Sequence, residues 1–212
     1  MGSFWYSETP SAPGSKGWDS YSPRMCNWVH FRIRANGREF YHFNSHFDHI
    51  GTTARAESAK LLVAKVREIA GGKPAFCTGD FNSNQNTEAY KTIAGSGILA
   101  DSYVRCPSKT NGDWPTYNGY KYISTPPAAA SRIDHVFVTP KDTKVVSWRI
   151  VNNSYNRKYP SDHFPDVLHL FIIGIILIQR GLLSPTLKMN PVHPFFQKFL
   201  WRLVRKSQGI RA

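Results

Sequence analysis

The 212-residue sequence predicts a layered α/β (α+β) domain over residues 1–166, followed by a chemically different tail over 167–212. Three observations predict it. Two runs of strand periodicity flank an Asn-Gly pair, a long helical pattern follows them, and short apolar strand runs then alternate with a second helical pattern. A hydrophobic fraction of 41% and an aromatic fraction of 14% supply a packed core, which excludes disorder throughout the chain.

Residues 1–24 read as loop, because Pro10, Pro13, Gly14, Gly17 and Pro23 punctuate a Ser-rich stretch. Residues Trp28–Arg34 and Glu39–Ser45 each alternate apolar and polar side chains about Asn36-Gly37, which predicts a hairpin with a type I′ turn. Thr53–Ile69 predicts a helix with a threonine cap. Leu61, Leu62, Val66 and Ile69 give it one apolar side, and Gly71-Gly72 ends it. Pro74–Thr78 is a short apolar run that fits a buried strand and leads into Gly79-Asp80-Phe81-Asn82. A shorter helix is predicted over Thr87–Ala94, and strands over Arg132–Val138 and Val145–Val151. Between them, residues 105–131 are rich in Pro, Gly, Asn, Ser and Thr and read as a long functional surface loop. There is no internal repeat.

The formal net charge is +13. All 14 acids lie at or before Asp166, so the tail carries only basic charge, from Arg180, Lys188, Lys198, Arg202, Arg205, Lys206 and Arg211. A basic body steers polyanions inward and suits a phosphate-bearing substrate. The three cysteines, Cys26, Cys77 and Cys106, are scattered and form no CxxC pair, which argues against a disulfide framework and a structural zinc site. No signal-peptide pattern opens the chain, and the compartment stays open between cytoplasm and secretion.

Four short patterns lie at or just after expected strand ends: Asn44-Ser45-His46-Phe47-Asp48-His49, Gly79-Asp80-Phe81-Asn82, Arg132-Ile133-Asp134-His135 and Ser161-Asp162-His163. A sheet holds side chains rigidly at its strand ends while loops leave access for substrate. Singly, each pattern has a bland reading as a turn or a structural histidine. Asp134 is the exception, since a carboxylate inside the apolar run Ile133–Val138 needs a partner to offset its burial.

Taken in this order, the patterns resemble the endonuclease/exonuclease/phosphatase superfamily, of deoxyribonuclease I-like fold, over roughly residues 4 to 165. The opening Phe4–Pro10 also looks like a segment found in a bacterial-type branch of that family. The resemblance implies a mixed, mostly antiparallel sheet sandwich flanked by helices, of which the carboxyl-terminal half is present. It implies hydrolysis of phosphoesters with Mg²⁺ or Mn²⁺. Asp80 would position or deprotonate the attacking water, and Asn82 would orient it. His163 would contact the scissile phosphate, Asp134 would pair with that histidine, and His46 would be a second phosphate-facing histidine. Asp162, with Asp80, would hold the metal, because hard cations prefer carboxylate oxygens. Arg55 is a further candidate for reaching a phosphate. The substrate class implied is a nucleic acid, a phospholipid head group or a sugar phosphate, with no protein partner.

The family also draws an Asn or Asp and a metal-binding Glu from strands earlier than any placed here. The sequence is therefore expected to be an amino-terminally truncated member with weak or absent activity. At the other end, Val167–Ile178 is almost wholly apolar yet shorter than the roughly twenty residues a membrane span needs. Phe195–Val204 spaces apolar and basic residues as a helix on a membrane surface would. Two other readings compete. The 44–49 stretch resembles the zinc motif of metallo-β-lactamase-type hydrolases, with Asn44 in place of a ligand and His46 and His49 retained. The basic, aromatic-rich composition also suits a non-catalytic module that binds nucleic acid or membrane.

Overall fold

The computed structural model describes residues 1–172. Along the chain run β1 (Gly2–Trp5), β2 (Met25–Arg32), β3 (Glu39–His46), α1 (Thr52–Ala70), β4 (Ala75–Asp80), α2 (Glu88–Ala94), β5 (Ala100–Asp101), α3 (Ser102–Arg105), β6 (Lys109–Thr110), β7 (Asp134–Val138), β8 (Thr143–Ile150) and β9 (Asp166–Ile172). Six strands form one sheet in the order β1-β2-β3-β4-β7-β5, and three form a second in the order β6-β8-β9. Only the β3/β4 and β6/β8 pairs are parallel, so the sheets are mixed and mostly antiparallel.

Strand alternation divides the larger sheet between two cores. Phe43, Cys77 and Phe137 point to one side and pack with Leu62, Val66 and Ile93 of α1 and α2. Phe76, Val136 and Val138 point to the other and pack with Trp148, Ile150, Leu168 and Leu170 of the second sheet. Each fully buried side chain of this size is worth roughly 1.5–3 kcal/mol. The result is helix layer, sheet, sheet.

Several sequence expectations change here. Gly2–Trp5 is a strand, pairing antiparallel with Met25–Trp28, although the first 24 residues read as loop. The hairpin between β2 and β3 forms, but its turn is not type I′. Of Asn36 and Gly37 only Gly37 has positive φ, at 70°. Ile33 N–H and Arg38 C=O close a four-residue loop, with the Asn36 and Gly37 amides both reaching Ile33 C=O. Hairpin loops of four residues are most often built on a type I turn. The cap of α1 is also different. Gly51 holds the N-cap position without a side-chain bond, and the distant Asp19 carboxylate accepts the Thr53 and Ala54 amides. A side chain from another segment thus satisfies amides that a local threonine was expected to serve. In α2 a local threonine does cap the helix, since Thr87 Oγ1 accepts the Tyr90 amide.

Asp166–Ile172 pairs along β8 as β9, so the division placed after Asp166 falls at the first residue of a strand. The rest of the apolar run, from 173 onward, and the basic stretch Phe195–Val204 lie outside the described residues. Among the described residues, no helix is long and apolar enough to cross a membrane.

Candidate active site

The site is a row across three adjacent strands. His46 stands opposite Asp80 in the β3/β4 register, and Asp80 stands opposite Asp134 in the β4/β7 register. Neighbouring strands lie about 4.8 Å apart, so the ladder by itself delivers three titratable groups to one end of the sheet. Gly79 makes this possible. Its φ is +149°, and a Cβ there would lie 1.8 Å from the Ser45 carbonyl oxygen; only hydrogen fits where the two strands close together before Asp80.

His163 joins the row from the loop before β9. Its Nδ1–H donates to Asp134 Oδ2 at 2.7 Å, and its Nε2 lies 3.8 Å from Asp80 Oδ2. His46 Nε2 approaches the same oxygen at 3.4 Å. Asp80 Oδ2 therefore sits between two imidazoles. Burial alone would lower the His163 pKa, but the hydrogen bond and charge of Asp134, with the charges of Asp80 and Asp162, push it up to about 9. The imidazolium form prevails at neutral pH. Burial and the neighbouring Asp80 charge raise the Asp134 carboxyl, opposed by its bond to His163. His46 shifts the other way, downward, because burial outweighs the attraction of Asp80. Two histidines beside one carboxylate are thus tuned to opposite protonation states.

Asn82 lies in the turn after β4 at φ 46°, a conformation that asparagine tolerates better than most residues. Its backbone N–H donates to Asp80 Oδ1 at 2.8 Å, and its side-chain Nδ2 donates to the Phe47 carbonyl at 3.0 Å. Among the described residues, the amide oxygen accepts no hydrogen bond. Asp80, Asp134 and His163 each offer a ligand atom within 4.8 Å of the others. Asp162 stands outside that group, although its charge acts on His163. The motifs pointed to Asp80 and Asp162 as metal ligands; the geometry groups Asp80 with Asp134.

Two members of the 44–49 motif serve the scaffold instead. Asp48 is 1% exposed, and its carboxylate accepts the Ser22, Ile50 and Gly51 amides. His49 Nδ1 lies 3.1 Å from the Arg24 guanidinium. His46 and His49 therefore face different partners, and among the described residues no metal-ligating group contains both. This removes the geometric basis of the zinc reading. Arg55 donates to the Asp48 carbonyl, at 3.1 Å.

Sequence reasoning missed the supports. Thr116, fully buried, accepts the Ile133 and Asp134 amides through Oγ1, which fixes the start of β7. Behind Asp134, His135 Nε2–H donates to the Ser83 carbonyl at 2.8 Å, tying β7 to the turn that carries Asn82. Arg132 is paired with Asp101 at 2.9 Å and lies over the Tyr103 ring at 3.8 Å. The signal for Arg132 and His135 was the motif itself; Thr116 and Asp101 carried none, because their partners are remote in sequence.

The Endonuclease/Exonuclease/phosphatase family profile matches residues 4–163. The chain belongs to this family. Its members are phosphoric ester hydrolases, and the two-sheet sandwich is the deoxyribonuclease I-like fold. A mannosyl-6-phosphatase from Bacteroides thetaiotaomicron is 40% identical, with a TM-score of 0.74 over 81% of this chain and 65% of that one. A family protein from Bacteroides vulgatus is 34% identical, with a TM-score of 0.72 over 81% of this chain and 64% of that one. Nocturnin of Drosophila melanogaster is 26% identical over 178 residues, 69% of this chain and 28% of that protein. The chain thus spans just under two thirds of the solved bacterial relatives and about a quarter of the curated one.

Proposed function

We propose that this site hydrolyses a phosphomonoester of a sugar, with Mg²⁺ or Mn²⁺ as cofactor. The observation that carries the reading is the convergence of Asp80, Asp134, His163 and His46 on one point, with Asp80 Oδ2 3.4 and 3.8 Å from the two imidazoles. Sugar phosphate is favoured over nucleic acid because the relative at 40% identity is a mannosyl-6-phosphatase.

The residues divide the work. Asp80 accepts a proton from the attacking water as its oxygen bonds to phosphorus. The amide oxygen of Asn82, carried on the turn beside Asp80, orients that water. His163, held as imidazolium by Asp134, donates a hydrogen bond to the phosphoryl group and can pass its proton to the departing sugar oxygen as the P–O bond breaks. His46, whose charged form is disfavoured, supplies a neutral imidazole beside the same oxygen. The donor set fits a hard divalent cation: the carboxylates of Asp80 and Asp134 offer oxygen, with Asp162 beside them. When bound, such a cation neutralises charge on the phosphoryl oxygens.

We further propose that residues 1–212 alone turn over slowly, since no glutamate joins the carboxylate cluster among the described residues. Phosphate release from mannose 6-phosphate, with and without Mg²⁺, tests both readings. Slow, Mg²⁺-dependent release that disappears in Asp80→Ala is expected. Release that persists in Asp80→Ala would sink the assignment of hydrolysis to this site, and binding of the ester without any release by the native chain would favour a binding module, while rapid turnover by the native chain would overturn only the second proposal.

A further inference from the structure

Segment 116–119 is stitched to the Ser161-Asp162-His163 stretch. Asn118 and Gly119 amides donate to the Asp162 carbonyl at 2.7 and 3.1 Å, and the Phe164 amide donates to the Thr116 carbonyl at 2.7 Å. The Asn118 side chain donates to the Ser161 carbonyl at 3.1 Å, and Tyr117 and His163 form a β-bridge. This places the Tyr117 ring 5.0 Å from the His163 ring, edge to face at 63°. Tyr117 is nevertheless 51% exposed, so half of a large apolar surface is left open to solvent beside the reacting imidazole. The turn beyond it is built to permit this. Gly119 and Tyr120 both have positive φ, 58° and 60°, and a Cβ on Gly119 would come within 3.1 Å of the Tyr117 hydroxyl oxygen. A side chain at position 119 would therefore crowd the end of the Tyr117 ring.

We infer that Tyr117 is a specificity-determining residue whose exposed face receives the sugar ring of a phosphorylated hexose. This rests on the phosphomonoesterase reading above and names the group that the ester carries. Distance selects a sugar over a base. A ring in contact with the phosphate-binding histidine faces the group joined directly to the ester oxygen, and in a nucleotide that group is the ribose, with the base one sugar further away. A tyrosine side chain suits such a group, because its face packs on the C–H side of a pyranose while its hydroxyl serves sugar hydroxyls at the rim. An acyclic or methyl ester offers no such face.

The test is calorimetric binding in Mg²⁺ of two non-hydrolysable probes, the phosphonate isostere of mannose 6-phosphate and methylphosphonate, to the full chain. Binding sidesteps slow turnover. The native protein is expected to prefer the hexose probe about tenfold. Tyr117→Phe keeps the larger part of that preference, losing only what the hydroxyl adds, whereas Tyr117→Ala and Tyr117→Leu bring the ratio towards one. Tyr117→Leu retains bulk, so it reports on the aromatic face even where the alanine variant folds poorly. A ratio unchanged in Tyr117→Leu, or equal binding of the two probes by the native chain, overturns the inference and leaves the phosphomonoesterase reading standing. Tighter binding of a nucleoside 5′-phosphonate than of the hexose probe overturns the choice of sugar. Failure to bind any phosphonate defeats the underlying reading itself.

Discussion

Replacing Asp134 by Asn should flatten the alkaline loss of stability in the metal-free protein. The native His163 is raised from 6.5 to about 9, chiefly against its burial, by the bond to Asp134 and the charges of Asp134, Asp80 and Asp162. A histidine whose folded pKa exceeds its unfolded one stabilises the fold fully below about pH 6.5, and the contribution is lost as pH rises through about 9. At about 1.36 kcal/mol per pH unit the ceiling is ~3 kcal/mol. The His163 side chain is 26% exposed, and solvent screening at that edge brings the expected figure to about 2 kcal/mol. The asparagine amide cannot favour imidazolium, so His163 in Asp134→Asn should titrate back towards its ordinary range. Urea midpoints in EDTA at pH 6 and pH 9.5, for both proteins, read the difference; NMR titration of the imidazole C–H signals assigns it. Equal alkaline losses in the two proteins, or a native His163 that titrates near 6.5, would refute the Asp134–His163 account.

Three other perturbations follow from the same geometry. Gly79→Ala drives a methyl group to 1.8 Å from the Ser45 carbonyl and should cost more than about 3 kcal/mol in chemical denaturation; a fully stable variant would contradict the close strand approach. Asp48→Ala strands the Ser22, Ile50 and Gly51 amides and should cost about 3 kcal/mol at pH 7. Burial alone would raise the Asp48 pKa, but hydrogen bonds from the Gly51, Tyr21, Ser22 and Ile50 amides hold it far below the carboxylate range. Its contribution is therefore present above about pH 3.9 and fades only as pH falls through that depressed value, so the gap between native and variant proteins should narrow in strong acid. Thr116→Val removes the acceptor for the Ile133 and Asp134 amides at nearly constant volume, and a thermal melt should show a loss of about 1–3 kcal/mol.

The sequence was most legible where chemistry and periodicity coincide. Gly79-Asp80-Phe81-Asn82 follows a strand and carries the central carboxylate, and Asp134 announced itself as a charge in an apolar run. Periodicity also found α1 to within a residue at each end. It failed where the deciding partner is remote. Gly2–Trp5 is a strand because Met25–Trp28 lies beside it, and α1 is capped by Asp19 from more than thirty residues away. Asp48 lies in a motif that reads as chemistry, yet a motif string cannot distinguish a carboxylate aimed at substrate from one turned inward onto backbone amides. Tyr117 was hidden for the opposite reason. It lies in a Pro- and Gly-rich stretch with no period, and only the bonds to Asp162 and Ser161 bring it to His163.

Because His46, Asp80 and Asp134 occupy one rung of a continuous ladder, their separations are inherited from backbone pairing and leave little for side-chain choice to adjust. A slip of one residue in β4 would turn Asp80 to the opposite face and dismantle the whole rung. Anyone re-engineering this scaffold for a different ester should therefore treat the three strands as a fixed jig and vary only what is clipped on beside it, beginning with residues 116–122.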